Sequence, residues 1–244
     1  MKKTLLAIAL TSALVPFTPA VSAESDIELS ANFGLVSDYR FRGVSQTDKE
    51  MAAQGGFDFA HKSGFYMGTW ASNVGDWANV QGNGMEIDLY LGYSTEVGGI
   101  GIDVGNLYYY YPGSDDMNPG LKPHTNEVYV GLSAGAFTFK TSYSTSDYFG
   151  TADSKGTIYY NLSSEFPLND STSLSAAVGY LSDKGGASAY KGYDYSVGVS
   201  TDLNGFSLGL SYITTSGDTN DNTNTTTGTE LAKGTVVVSI SKSF

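Results

Sequence analysis

Apolar and polar residues alternate one by one along most of this chain. Ile27, Leu29, Ala31, Phe33 and Leu35 are separated by Glu28, Ser30, Asn32 and Gly34. Ile87, Leu89, Leu91 and Tyr93 alternate with Glu86, Asp88, Tyr90 and Gly92, and the pattern returns at Phe137–Tyr143, Leu174–Tyr180 and Phe206–Tyr212. A period of two places one set on each face of a β-strand, whereas the i, i+3, i+4 spacing of an amphipathic helix is rare here. The alternation predicts twelve strands over 27–45, 51–62, 64–74, 84–97, 100–111, 124–135, 136–147, 156–166, 171–182, 191–202, 205–215 and 234–244. They exceed the five or six residues usual in soluble sheets. Ten residues tilted by about 40° cross about 25 Å, the height of an outer-membrane apolar band.

The connections sort into two kinds. Ser63, Gly98-Gly99, Gly135-Ala136, Pro167–Asp170 and Leu203–Gly205 are tight turns. The others, apart from a modest Gln46–Glu50, are long and polar, around 75–83, 112–123, 148–155, 183–190 and 216–233. A soluble sandwich has no reason to gather its long loops at one end. An up-and-down transmembrane barrel does, with short periplasmic turns and longer external loops. Aromatics mark both ends of the strands: Phe65, Tyr93, Phe137, Phe166, Phe206 and Phe244 by the turns, and Tyr39, Phe41, Tyr108, Tyr110, Tyr143, Tyr180, Tyr193 and Tyr212 by the loops. Two such belts suit two membrane interfaces. The fold class expected is therefore all-β, a transmembrane antiparallel barrel of about twelve strands.

The first 23 residues read as a signal peptide. Lys2 and Lys3 precede the apolar run Leu5–Val15, too short to span a bilayer, and Val21-Ser22-Ala23 offers a small-residue cleavage site after Ala23. The barrel would then occupy 24–244, exported to the cell outer membrane among outer-membrane lipid and lipopolysaccharide. Phe244, closing an amphipathic strand, resembles the signal read by the barrel assembly machinery, with Lys242 where an apolar or aromatic residue is usual. Composition narrows the chemistry. The 244 residues contain no cysteine and two histidines, so thiolate metal sites and disulfides are excluded. A formal charge of −12 argues against nucleic acid as a partner.

Three stretches carry a family resemblance: Ser37-Asp38-Tyr39-Arg40-Phe41-Arg42-Gly43-Val44-Ser45-Gln46, then Gln54-Gly55-Gly56, then Gly64-Phe65-Tyr66-Met67-Gly68-Thr69-Trp70-Ala71-Ser72-Asn73. With Glu86-Ile87-Asp88 and Tyr90-Leu91-Gly92-Tyr93, they resemble the proteobacterial TorF-like porin family, also described as Gcw_chp, a protein of unknown function. The resemblance implies an outer-membrane barrel of about this length and no established substrate.

Function then rests on what faces the lumen. With Ile27, Leu29, Phe33, Tyr39 and Phe41 toward lipid, Asp38, Arg40 and Arg42 face inward from the same strand. The same parity turns Asp58, Glu86, Asp88, Asp103, Glu127, Glu165 and Asp194 inward, with Lys140 as the further base. Charges on the lipid face cost about 2–4 kcal/mol for Arg near the midplane, which is why parity decides. The i, i+2 spacing of Arg40 and Arg42 places both on one strand face, able to pair with wall carboxylates such as Glu86, Asp88, Asp58 or Glu127 and set the narrowest point, or else to snorkel at the rim. A packed, salt-bridged interior is the competing expectation.

Catalysis finds no support. His61 shares the lipid-facing parity of Phe57 and Phe59 near a tight turn, and His124 opens a strand with no neighbouring nucleophile. Asp218-Thr219-Asn220-Asp221-Asn222 begins like a calcium loop, but Thr223 stands where Gly belongs and Thr229 where Glu does. No catalytic residue, cofactor or metal is expected. The function expected is passive diffusion of small hydrophilic solutes or ions with weak cation preference, eight inward acids facing three bases. The alternative is a non-conducting structural or surface-interaction barrel.

Overall fold

A computed structural model describes residues 26–75, 84–114, 123–182, 184, 191–217 and 228–244. The expected signal peptide and its cleavage site lie outside these residues, as do the calcium-like segment at 218–222 and most of the acidic loop after Tyr111. The strands in chain order are β1 (Ile27–Val36), β2 (Arg40–Phe41), β3 (Val44–Ser45), β4 (Ala52–His61), β5 (Phe65–Asn73), β6 (Met85–Val97) and β7 (Ile100–Tyr110). They continue as β8 (Thr125–Ala134), β9 (Phe137–Ser144), β10 (Ile158–Pro167), β11 (Thr172–Ser182), β12 (Gly192–Leu203), β13 (Phe206–Gly217) and β14 (Thr235–Ser243).

Twelve of these close a barrel in the order β1-β14-β13-β12-β11-β10-β9-β8-β7-β6-β5-β4, every neighbour antiparallel. β2 and β3 form a separate two-stranded hairpin. Closure leaves no unpaired edge, which is what a sheet requires where no water can satisfy its backbone. The outside is apolar, with Leu29, Phe57, Leu91, Val130, Leu162, Val199, Leu210 and Val238 all exposed from different strands. A continuous apolar surface of this kind suits lipid rather than water.

One boundary departs from expectation. The first strand ends at Val36, not at residue 45. Ser37 closes it: its N–H donates to Val238 O at 2.9 Å, and its Oγ accepts from Val238 N–H at 2.9 Å. Residues 38–50 then fold into the barrel, with Asp38, Tyr39, Arg40, Arg42, Ser45, Gln46 and Thr47 all buried. Tyr39 and Phe41 therefore do not face lipid. Their alternation with Asp38, Arg40 and Arg42 belongs to a separate hairpin inside the lumen, whose own period of two mimics a continuing strand.

The barrel's inner face is divided. From β4 to β9 it presents Asp58, Tyr66, Trp70, Glu86, Asp88, Tyr90, Asp103, Tyr109, Glu127, Tyr129 and Lys140. From β11 through β14 to β1 it presents mainly Ser173, Ser175, Ser196, Ser200, Ser207, Ser211, Ser239 and Ser241, interspersed with Gly198, Gly209 and Gly34. The large side chains have small ones to lie across. Tyr66 stands opposite Gly92, Tyr90 opposite Gly68 and Tyr129 opposite Gly105. A Cβ on Gly92 or Gly105 would run into the tyrosine hydroxyl, so glycine is needed for the close approach.

Candidate functional site

The inserted segment is the centre of the site. Phe41-Arg42-Gly43-Val44 makes the two-residue turn of the β2–β3 hairpin, with φ of 48° at Arg42 and 80° at Gly43. Left-handed backbone at both central positions is the turn that matches strand twist. Holding Arg42 there costs roughly 1–2 kcal/mol, offset by what the side chain then reaches. Its Nη2 donates to both oxygens of Glu127 on β8, at 2.7 and 3.0 Å, and its Nη1 donates to Tyr148 Oη at 3.1 Å. The guanidinium also lies over the rings of Phe41, Tyr148 and Tyr159, at 4.7, 5.5 and 4.2 Å. Burial works against its charge, but Glu127 beside it more than compensates, and the group is held well above its ordinary pKa. β8 lies five strands around the twelve-stranded wall from β1, so this arginine reaches almost across the barrel.

Arg40 is anchored differently. Its Nε donates to Asp38 at 2.7 Å, and its Nη1 donates to the carbonyls of Gly43, Leu231 and Lys233 at 2.9, 2.8 and 3.2 Å. Leu231 and Ala232, from the chain leading into β14, are buried against the hairpin, and Leu231 O also accepts from Ser45 N–H at 3.0 Å. The two arginines are thus not a ladder on one strand face: one points at β8 and the other at the approach to β14. Tyr39 takes a third direction, donating to Glu86 Oε1 at 3.0 Å, while Tyr111 donates to Glu86 Oε2 at 2.9 Å.

A second segment enters beside the first. Residues 148–150 form a 3₁₀ turn that buries Tyr148 and packs the Phe149 ring edge-on against Phe41, Tyr109 and Tyr111, at 5.4, 5.2 and 6.2 Å. Edge-to-face pairs of this kind contribute about 0.5–1.5 kcal/mol each beyond burial. The long-loop end of the barrel is therefore narrowed by an aromatic cluster built around one guanidinium.

The remaining charged positions lie in two tiers. Glu86, Asp88, Glu127 and Asp194 sit within a few residues of the long-loop end of their strands. Asp194 accepts from Tyr159 Oη at 2.9 Å. Toward the short-turn end, Asp103 accepts from Tyr66 at 2.6 Å, Tyr90 donates to Asp58, and Lys140 Nζ lies 3.8 Å above the Tyr129 ring. Glu165 is half-buried opposite Ser175, away from both groups. The residues that sequence reasoning missed are the inward tyrosines 66, 90, 109, 129 and 159, with Tyr148 and Phe149. The five strand tyrosines share the parity of the carboxylates, a signal that was available in the alternation. Nothing in the pattern marked 148–150.

The two histidines stay apart from this site. His61 bonds Ser63 at 2.8 Å in the turn after β4, and His124 Nδ1 accepts from Tyr111 N–H at 3.2 Å. Among the described residues, no three His, Cys, Asp or Glu side chains converge as a metal site.

Residues 20–244 match the family model described as Bacterial protein of unknown function (Gcw_chp), and the chain belongs to that family. No curated protein matches it in sequence. Its fold is similar to that of a KdgM porin in complex with disordered oligogalacturonate, with a TM-score of 0.55, 8% identity, and 88% of this chain and 99% of that one covered. It is also similar to the NanC porin, with a TM-score of 0.53, 9% identity, and 88% and 98% covered. At these identities the likeness is one of fold.

Proposed function

We propose that this Gcw_chp member is a TorF-like porin: an outer-membrane channel that passes small hydrophilic solutes or ions by diffusion, with weak preference for cations. The observation that carries the reading is a closed barrel with an apolar exterior and a charged, hydroxyl-rich interior narrowed by an inserted hairpin. In this reading Asp38, Arg40, Arg42, Asp58, Glu86, Asp88, Asp103, Glu127, Lys140, Glu165 and Asp194 line the path, and the excess of acids raises the local cation concentration. The KdgM porin is described with oligogalacturonate, a polyanion; an acid-rich lumen would repel such a solute, so we assign this channel a different cargo. Outer-membrane lipid and lipopolysaccharide surround it, the barrel assembly machinery inserts it with Phe244 as part of the signal, and the segment before residue 24 directs its export.

Single-channel recording of the refolded protein in planar bilayers tests this. Small conductance steps are expected, with a reversal potential under a KCl gradient that favours K⁺. Clear anion selectivity would overturn the cation preference. A second reading has one observation behind it, the contact of Arg42 with Glu127 almost across the lumen: a barrel that does not conduct and acts through its surface. Complete absence of current from correctly folded protein would select it.

A further inference from the structure

Two of the buried acids at the narrow end have no counter-charge. Arg40 pairs with Asp38, its Nη2 left buried without a hydrogen bond, and Arg42 pairs with Glu127. Among the described residues, no basic side chain lies within ion-pair distance of Glu86 or Asp88, although the two are only 1% and 3% exposed. Glu86 is served by the hydroxyls of Tyr39 and Tyr111. Asp88 meets no such hydroxyl: it reaches only the carboxyl of Glu86, and its Oδ1 is buried and accepts no hydrogen bond. Both side chains project inward from β6 at positions 86 and 88, their Cα atoms about 7 Å apart and their carboxyl groups within hydrogen-bond reach of each other.

The surroundings are aromatic. Asp88 is in register with Trp70 on β5 and with Tyr109 on β7, both inward-facing. Tyr39 lies edge-on to Trp70 at 5.4 Å. A buried carboxylate without a partner is costly, and the π faces beside it attract positive charge as well. The donor set is too small for a divalent ion, which asks for six or more oxygens. We infer that Glu86 and Asp88, between Trp70 and Tyr109, form a binding site for one monovalent cation, an alkali ion or ammonium, at the narrow end of the lumen.

The site needs the barrel but not conduction, so binding and current are read separately. The experiment follows thermal unfolding of the refolded full chain in detergent micelles, in KCl and in N-methylglucamine chloride at equal ionic strength. The bound ion should raise the midpoint by a few degrees with a dependence that saturates in K⁺, as ligand linkage requires, while the bulky cation gives no rise. Asp88→Asn should abolish the K⁺ dependence and should unfold in N-methylglucamine at a higher temperature than the native chain, because the uncompensated charge is gone. Equal midpoints for the native chain in both salts would show that the two acids merely share a proton, and would overturn the inference. If Asp88→Asn fails to assemble, the native comparison decides alone, with Glu86→Gln as the second variant. A channel that conducts but shows no K⁺ stabilisation would retain the proposed function and lose this site.

Discussion

Arg42 is where one residue carries most consequence. It is buried, it holds the left-handed turn of the hairpin, and its planar guanidinium meets Glu127 through Nη2 and Tyr148 through Nη1 at once while stacking on Tyr159, a combination that lysine cannot reproduce. Arg42→Ala leaves Glu127 buried with a charge and only hydroxyl neighbours, so a loss of about 3–5 kcal/mol is expected by urea unfolding in micelles. Arg42→Ala with Glu127→Ala should lose clearly less than the two single variants summed. Strict additivity would mean that the pair is not coupled. Gly92 makes the opposite kind of claim, since its worth lies in having no side chain. Gly92→Val should displace the Tyr66 ring and break the Tyr66–Asp103 hydrogen bond, lowering the unfolding midpoint, whereas Gly84→Ala, with open space around it and no left-handed backbone, should leave the midpoint unchanged.

At the scale of elements, eleven of the twelve wall strands fall where the alternation puts them, because lipid outside and polar groups inside impose a period of two with almost no exceptions. The first strand is the exception. Its continuation through Phe41 was legible as alternation but not as location: a hairpin folded into the lumen and a strand in the wall share one period, and only the partners differ. Those partners, Glu86, Glu127, Leu231 and Lys233, are distant in the chain, so no local pattern reports them. The inward tyrosines were hidden for another reason, since tyrosine suits both a membrane interface and a wet lumen. Replacing residues 38–50 by a short Gly-Ser link should leave the twelve-stranded wall closed, because the hairpin shares no ladder with it. Single-channel conductance should rise severalfold in this variant. An unchanged conductance would place the narrowest point elsewhere.

Taken as a whole molecule, the barrel is held by a continuous ring of ladders of unequal length. β1 and β4 pair along ten residues, from Ile27–His61 to Val36–Ala52, whereas β1 and β14 pair along five, from Asn32–Ser243 to Val36–Ser239. Mutual hydrogen bonds between Ala31 and Phe244, at 3.2 and 2.9 Å, extend this seam, and Lys242 lies over Phe206 and Phe244 beside it. Local opening follows the weakest cooperative contact. Amide exchange should therefore be faster at residues 239–243 than at 53–60, and Phe244→Ala should accelerate it further. Uniform protection around the wall would contradict this ordering. The intact barrel should also migrate as a compact species in unheated detergent gels and as an extended one after boiling.

The divided lining of the lumen has an electrical consequence. One wall carries most of the carboxylates and tyrosine hydroxyls, and the facing wall, Asp194 apart, carries mainly serines and bare glycine backbone, so negative charge is weighted to one side of the bore rather than spread evenly around it. The interior is thus polarised crosswise as well as lengthwise. Water filling it would stand with its dipoles turned toward the β4–β9 wall, and a dipolar solute would travel with its positive end to that side, sorted by orientation before it is sorted by size.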